Sequence, residues 1–228
     1  MVSLNIVATP IGNLEDITLR ALRTLEEVDY ILCEDTRVTK KLLDHYKIKT
    51  PTISYHQHSG DLKIDKIIVL LREGKNLALV SDAGTPGISD PGGRLVSVLR
   101  QEFSEDLAIV TIPGVSALGA AVAIAGSGFD RFLFLGFLPH KKGRQTKLKE
   151  IMASDHSVIV YESKHRIVKL LEELSLFDSQ EKLAVMVGRE LTKMHESFYS
   201  GSVKEVLASL VADPNNLKGE FVVLIKKN

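Results

Sequence analysis

The chain has 228 residues, 44% hydrophobic and 25% charged, which suits one large or two small globular domains with a core that needs no covalent staples. Basic and acidic residues balance at 29 each, so net charge lends no support to nucleic-acid binding, and any such contact must come from local clustering. The single cysteine, Cys33, excludes an intrachain disulfide and a cysteine-rich zinc site, and is compatible with a reducing compartment.

The first strand-like run, residues 4–8, follows Met1 directly, without a basic start or apolar signal segment. Val- and Ile-rich runs at 4–8, 30–33, 52–55, 77–80 and 108–112 then alternate with helical patterns at 18–28, 37–46, 63–73 and 93–102. In the first of these, Leu19, Leu22, Leu25 and Glu26 recur at spacings of three and four with Arg20 and Arg23 outside, and Asp16 and Thr18 are good helix-start residues. This alternation predicts a mostly parallel sheet covered on both faces.

The pattern changes at Pro113-Gly114. A small-residue helix at 115–125 is the longest apolar stretch, well short of the ~20 residues that span a bilayer. A cytoplasmic protein without a membrane partner is expected. Gly126-Ser127-Gly128 then marks a helix stop. Strands are predicted at 132–137, 158–161, 183–187, 196–200 and 221–225, with helices at 144–153, 166–174 and 203–211. Only eight residues separate the strands at 183–187 and 196–200, so they should pair antiparallel and make the second sheet mixed. The expected fold class is α/β: two α/β domains, 1–113 and 114–228, with an interdomain cleft, the first sheet mostly parallel and the second mixed. Ligands of such folds bind at the carboxyl ends of strands.

The strongest local signal is Ser81-Asp82-Ala83-Gly84-Thr85-Pro86-Gly87-Ile88-Ser89-Asp90-Pro91-Gly92, which follows a strand. Its glycines allow close backbone approach, and its free amides, carbonyls and side chains suit a small ligand with ammonium and carboxylate groups. A pair of β-turns leading to a helix capped by Asp90 is the competing reading. Ala8-Thr9-Pro10-Ile11-Gly12-Asn13-Leu14 also joins a strand to a helix, but neither G-x-G-x-x-G nor a P-loop occurs there. Cys33-Glu34-Asp35-Thr36-Arg37 offers paired carboxylates, as a general base or as a helix cap in which Glu34 pairs with Arg37. His56 and His58 share a face in an extended chain, but lack a third ligand and read as a polar, substrate-facing lip, so no metal is expected. Tyr161-Glu162-Ser163-Lys164-His165-Arg166 could hold phosphates or open a solvated helix. Gly188-Arg189-Glu190 and Lys218-Gly219-Glu220 set charges beside a glycine. The acid-free run of Lys141, Lys142, Arg144, Lys147 and Lys149 is the best segment for phosphate contact, with an exposed basic helix as the plain alternative.

Taken with residues 7–14, 33–37, 80–92 and Pro113-Gly114-Val115-Ser116-Ala117, the strings Gly136-Phe137-Leu138-Pro139, Tyr161-Glu162-Ser163, Gly188-Arg189-Glu190 and Lys218-Gly219-Glu220 resemble, in order and spacing, the ribosomal RNA small-subunit methyltransferase I family of the tetrapyrrole-methylase class. The resemblance implies two α/β domains with S-adenosylmethionine between them, commonly as a homodimer. It also implies 2′-O-ribose methylation of a cytidine in 16S RNA of the small ribosomal subunit. The alternatives are a same-class methyltransferase for a tetrapyrrole or other small molecule, and a non-catalytic RNA- or nucleotide-binding protein on this fold. The sequence departs from the family at Gln57, Ser59 and Gly93, and does not include the further helical region that many members carry after the last strand.

By this resemblance Asp82, Ala83, Gly84, Thr85, Gly87 and Ile88, with Ser116 and Ala117, hold the amino-acid and ribose parts of the cofactor. Pro10, Ile11 and Gly12 border it on the substrate side, and Phe137, Tyr161, Leu191 and Gly219 border the adenine. Glu34, Glu190 and Glu162 are candidate proton acceptors, and Lys164 could hold a phosphate or lower the hydroxyl's pKa. Arg37, His56, Lys141, Lys142, Arg144, Lys147 and Arg166 are the expected RNA contacts.

Overall fold

The computed structural model describes residues 2–56, 60–90 and 92–227. His58 of the predicted lip, the departures at Gln57 and Ser59, and Pro91 of the long loop lie outside the described residues. The chain forms two compact units, residues 1–116 and 117–228.

In the first unit, β1 (Val2–Val7), β2 (Tyr30–Cys33), β3 (Thr52–Ser54), β4 (Leu77–Leu79) and β5 (Leu107–Ile112) make a parallel sheet of order β3-β2-β4-β1-β5. The helices are α1 (Leu19–Glu27), α2 (Thr36–His45), α3 (Asp61–Arg72) and α4 (Gly93–Phe103). Successive strand residues point to opposite faces. Ile31, Cys33, Ala78 and Val80 therefore pack with Ala21, Leu25 and Leu43 of α1 and α2. Leu32, Leu77 and Leu79 pack on the other face with Ile64, Ile67, Leu95 and Leu99 of α3 and α4. Strands buried on both faces must be apolar throughout, which is why they read as unbroken runs.

Thr18 caps α1 by accepting from the Ala21 amide at 3.0 Å. The inward face of α1 is set by Ala21 and Leu25, whereas Leu19 is 86% exposed. Leu19 stands at the first helical position, where a residue matching the apolar period can still project into water.

In the second unit, β6 (Phe132–Phe137), β7 (Ser157–Ser163), β8 (Leu183–Arg189), β9 (Ser197–Ser202) and β10 (Glu220–Lys227) form a sheet of order β6-β7-β10-β8-β9. Only β6 and β7 are parallel; β10 runs antiparallel between β7 and β8, and β8 pairs antiparallel with β9. Helices α5 (Ala117–Ala125), α6 (Arg144–Ala153), α7 (Ile167–Phe177) and α8 (Val203–Val211) cover it. One face, with Val160, Val187 and Val223, packs on Leu148, Leu170, Leu174 and Leu210 of α6, α7 and α8, while α5 contacts β10. Ser202 and Glu205 start α8 with a reciprocal capping box.

Leu32, fully buried in β2, is expected to lose about 2–5 kcal/mol of unit stability on Leu32→Ala. Leu19→Ala should stay within about 0.5 kcal/mol. Denaturant unfolding of both variants checks the assignment of the α1 face.

Candidate functional site

Because the first sheet is parallel, the loops after all five strands emerge at one edge. Three of them are bound into one body. The Thr9 amide donates to Gly84 O at 2.9 Å, and the Gly84 amide returns a bond to Thr9 O at 3.0 Å. Thr9 Oγ1 donates to Ser81 O at 3.2 Å, and Thr85 Oγ1 donates to Val115 O at 3.1 Å. Gly84 sits at φ +78°, and a Cβ there would lie 3.3 Å from Ile11 Cγ2 and 3.8 Å from Val115 O. Only glycine meets both conditions without strain. Ala8 leaves similarly little room at Gly114, where a Cβ would come within 2.9 Å of its methyl.

Pro10 and Ile11 are buried beneath this assembly, while Gly12, Asp82, Ala83 and Gly87 are exposed on it. Thr85, Ile88 and Ser116 are half-buried. The loop is thus a tied platform with an open outer surface, not a simple turn pair leading to a helix. Gly92, rather than Asp90, occupies the N-cap of α4, without a side-chain cap.

Asp90 turns inward instead, and burial pushes its carboxyl up to about 6. The nearby charges of Glu34 and Asp82 raise it further, against a stabilising hydrogen bond from Ser81. Glu34 is also raised, first by burial and then by Asp82, with His56 opposing. Asp35 behaves differently. It caps α2 by accepting from the Arg37 amide at 2.8 Å, and Arg37 Nη2 lies 2.6 Å from its Oδ2. The hydrogen bond from the Arg37 side chain holds Asp35 down at about 2. Of the two readings of this segment, Asp35 takes the cap and the Arg37 pair, and Glu34, unpaired with Arg37, faces Asp82 and Asp90. Asp82 Oδ1 also accepts from the Asp35 amide at 3.0 Å. Asp90's part in this acidic patch was missed in the sequence, where it reads as a helix cap.

In the second unit, Phe137, Tyr161, Leu191 and Gly219 come to one edge of the sheet through the registers Phe137↔Tyr161 and Phe221↔Arg189. Phe137 is 53% exposed, and its ring centre is 5.6 Å from that of Tyr161. Tyr161 Oη accepts from the Leu118 amide at 3.0 Å. Leu191 is buried against Gly188. A Cβ at Gly219 would fall on the Glu190 carboxyl group. Arg189 is buried and spans Lys218 O, His195 O and Asn215 O, so it braces the loops around Gly219. Glu190 Oε1 accepts from Lys193 Nζ and from the Glu220 amide, each at 2.9 Å. Burial raises its pKa, but these partners outweigh burial and leave it lowered. It is a poor proton acceptor.

Three other expected roles are corrected by burial and ion pairing. Arg144 is 3% exposed, and its Nη2 lies 2.7 Å from Glu173 Oε2. Glu162 is 1% exposed, with Oε1 2.8 Å from Arg166 Nε and Oε2 3.7 Å from Arg144 Nη1. Arg166 Nη1 donates to Leu138 O at 2.8 Å. Arg144 and Arg166 are therefore engaged inside the unit instead of reaching for phosphates, and Glu162 compensates them instead of accepting a substrate proton. This quartet anchors the turn between Phe137 and α6. On that turn Lys141 and Lys142 are exposed, while Lys147 Nζ pairs with Glu150 at 2.7 Å. Lys164 and Arg37 are exposed, and His56 is half-buried.

Among the described residues, no group of three or more His, Cys, Asp or Glu could hold a metal ion, and no helix is long and apolar enough to cross a membrane.

Residues 3–207 match the family described as Tetrapyrrole (Corrin/Porphyrin) Methylases. The chain is 46% identical over 223 residues to ribosomal RNA small subunit methyltransferase I of Synechocystis sp., covering 97% of this chain and 78% of that protein. It is 44% identical over 226 residues to the protein of the same name from Thermotoga maritima, covering 99% and 98%. Among solved structures it resembles a cobalamin biosynthetic enzyme, cobalt precorrin-4 methyltransferase, with TM-score 0.71 at 20% identity, covering 98% of this chain and 94% of that one. The methyltransferase CobJ is similar, with TM-score 0.70 at 19% identity, covering 100% and 95%.

Two outcomes follow from the charges. The folded protein holds the Asp90 proton more tightly than the unfolded chain, so its contribution is intact below 3.8 and is lost as pH rises to about 6. Asp90→Asn should flatten that part of the stability profile and add on the order of 1–2 kcal/mol at neutral pH, after discounting for partial solvation. Chemical denaturation at a series of pH values measures this. Glu162→Ala removes the carboxylate partner of the largely enclosed Arg166 guanidinium, leaves Arg144 with Glu173 alone, and should cost about 3–5 kcal/mol by the same measurement.

Proposed function

The chain belongs to the tetrapyrrole (corrin/porphyrin) methylase family, among the ribosomal RNA small subunit methyltransferase I proteins, and on that premise we propose that it methylates the ribose 2′-hydroxyl of a cytidine in 16S RNA of the small ribosomal subunit. It is an S-adenosylmethionine-dependent methyltransferase. In this reading it works in the cytoplasm as a homodimer. The observation that carries the proposal is the platform closed by the Thr9–Gly84 pair, with carboxylates gathered beside exposed backbone.

The residues present fit S-adenosylmethionine. The cofactor is cationic at both its sulfonium and its ammonium group, and the edge of the first sheet is acidic. A cation there relieves the repulsion from Glu34 and Asp82 that, after burial, raises Asp90. When bound, the cofactor supplies an electrophilic methyl group. Asp82, Ala83, Gly84, Thr85, Gly87 and Ile88 would hold its amino-acid and ribose parts, with Pro10, Ile11, Gly12, Ser116 and Ala117. Phe137, Tyr161, Leu191 and Gly219 are assigned to the adenine, with the exposed Phe137 ring and Tyr161 offering an aromatic surface.

The residues' main task is to align the hydroxyl with the methyl group and exclude competing geometries. Glu34 is the proton acceptor in this proposal. Glu162 is occupied by arginines, Glu190 is held ionised by its partners, and burial together with Asp82 raises the pKa of Glu34. A carboxylate raised toward the working pH is a better base. Lys164, Lys141 and Lys142 are exposed, and in this reading they contact phosphates of the RNA.

Calorimetry should show S-adenosylmethionine binding that falls at least about tenfold in Gly84→Ala, because the loop must yield to the new Cβ. Unchanged affinity would remove the platform from the cofactor site. Glu34→Gln should cut kcat by about 10²-fold with cofactor affinity retained. Lys141→Glu with Lys142→Glu should weaken RNA binding and leave cofactor binding intact.

A further inference from the structure

The second unit carries a polar cavity of about 240 Å³ at the edge of its sheet opposite Tyr161 and Gly219. It lies where β6 and β7 begin and β10 ends, lined by Ser127, Gly128, Ser154, His156, Lys226 and Lys227. Its volume is several times the ~30 Å³ share of a water molecule, enough for a hydrated phosphate group.

Its walls are held rigidly. Ser157 Oγ donates to Gly128 O at 2.6 Å. Ser154 Oγ donates to His156 O at 2.8 Å and accepts from the His156 amide at 3.1 Å. Gly128, at φ +97°, leaves room for the Lys226 stem, since a Cβ there would lie 3.3 Å from Lys226 Cδ. Lys226 Nζ rests 3.4 Å from Ser127 O.

The charge is left over. Like most lysines of this unit, and unlike Lys147, Lys193 and Lys204, neither Lys226 nor Lys227 has a carboxylate within 4.0 Å among the described residues. His156 adds a third basic group, and Asp155 is the single acid lining the cavity. The donors a phosphate would meet here are the ammonium groups of half-buried Lys226 and exposed Lys227, while the serine hydroxyls and carbonyls bond one another and fix the walls.

We propose that this cavity is a second phosphate-binding site, which takes a phosphodiester of the RNA substrate. The inference rests on the ribosomal RNA reading above and extends it. The seven residues of β7, at about 3.3 Å each, separate this cavity from the Lys141–Lys142 edge by roughly 20 Å. Two cationic sites at opposite edges of one sheet match an extended polyanion better than a single ion. Sequence-independent phosphate contacts of this kind supply affinity and its salt dependence.

The test is binding of small-subunit RNA across a salt series by the wild type, Lys226→Glu/Lys227→Glu and the milder Lys226→Gln/Lys227→Gln. Cofactor affinity, melting temperature and transfer of labelled methyl to the same RNA are read alongside. The expected result is RNA affinity lowered about tenfold or more by the reversal and less by neutralisation. The slope of log affinity against log salt should fall by roughly 1–2, as for two lost phosphate contacts. Cofactor affinity and melting temperature should hold. Unchanged RNA affinity and slope overturn the proposal, even if inorganic phosphate shifts the His156 resonances, because the cavity then serves a free anion. Failure of the underlying reading looks different: the wild type itself transfers no methyl to RNA.

Discussion

The paired hydrogen bonds between Thr9 and Gly84 are the constraint on which the first unit's surface depends. A parallel sheet delivers its loops to one edge but does not order them there. The Thr9–Gly84 bridge fixes the loop after β1 to the loop after β4, and Thr85 with Val115 adds the loop after β5. Gly84 must have positive φ and no side chain for the three to close. With these carbonyls and amides satisfied internally, exposed Asp82, Ala83 and Gly87 are presented on a stiff support. A cofactor bound to such a surface incurs little ordering cost.

Charge is distributed with the same economy. The first unit concentrates carboxylates at its open edge, where burial and mutual repulsion raise Glu34 and Asp90 and make a cation welcome. The second unit joins buried Arg144 and Glu162 to half-buried Arg166 and Glu173 as a compensated quartet that anchors the turn after Phe137, leaving Lys141 and Lys142 outside. Buried ion pairs are weak contributors to stability against apolar packing of the same volume. Their place beneath an exposed aromatic and a basic turn gives this quartet a reason to be kept.

Much of the fold was legible in the residues. Strands such as Ile31-Leu32-Cys33 are apolar on both faces because helices cover both, and the short span between β8 and β9 forced an antiparallel pair. The platform was legible as a position, a glycine-rich loop after a strand, though S-adenosylmethionine itself came from family resemblance. The acidic patch was not legible, because Glu34, Asp82 and Asp90 meet only once β2 and β4 are neighbours. Arg144 and Arg166 were misread for a related reason. Sequence displays a charge but not its burial, and an acid-free basic run looks the same whether its arginine faces RNA or Glu173. Leu19 fitted the helical period and still lies in water, since periodicity does not say where a helix's inward face begins.

Placing S-adenosylmethionine on this platform and a ribose hydroxyl of small-subunit RNA before it fixes where the transferred methyl group must end up. The most direct measurement supplies S-adenosylmethionine with a labelled methyl group and small ribosomal subunits, then digests the RNA with alkali. A methyl group on the 2′-oxygen blocks cleavage of the adjacent phosphodiester. Label is expected in an alkali-resistant dinucleotide that begins with cytidine. Label released in mononucleotides, or no label in RNA at all, would contradict this placement.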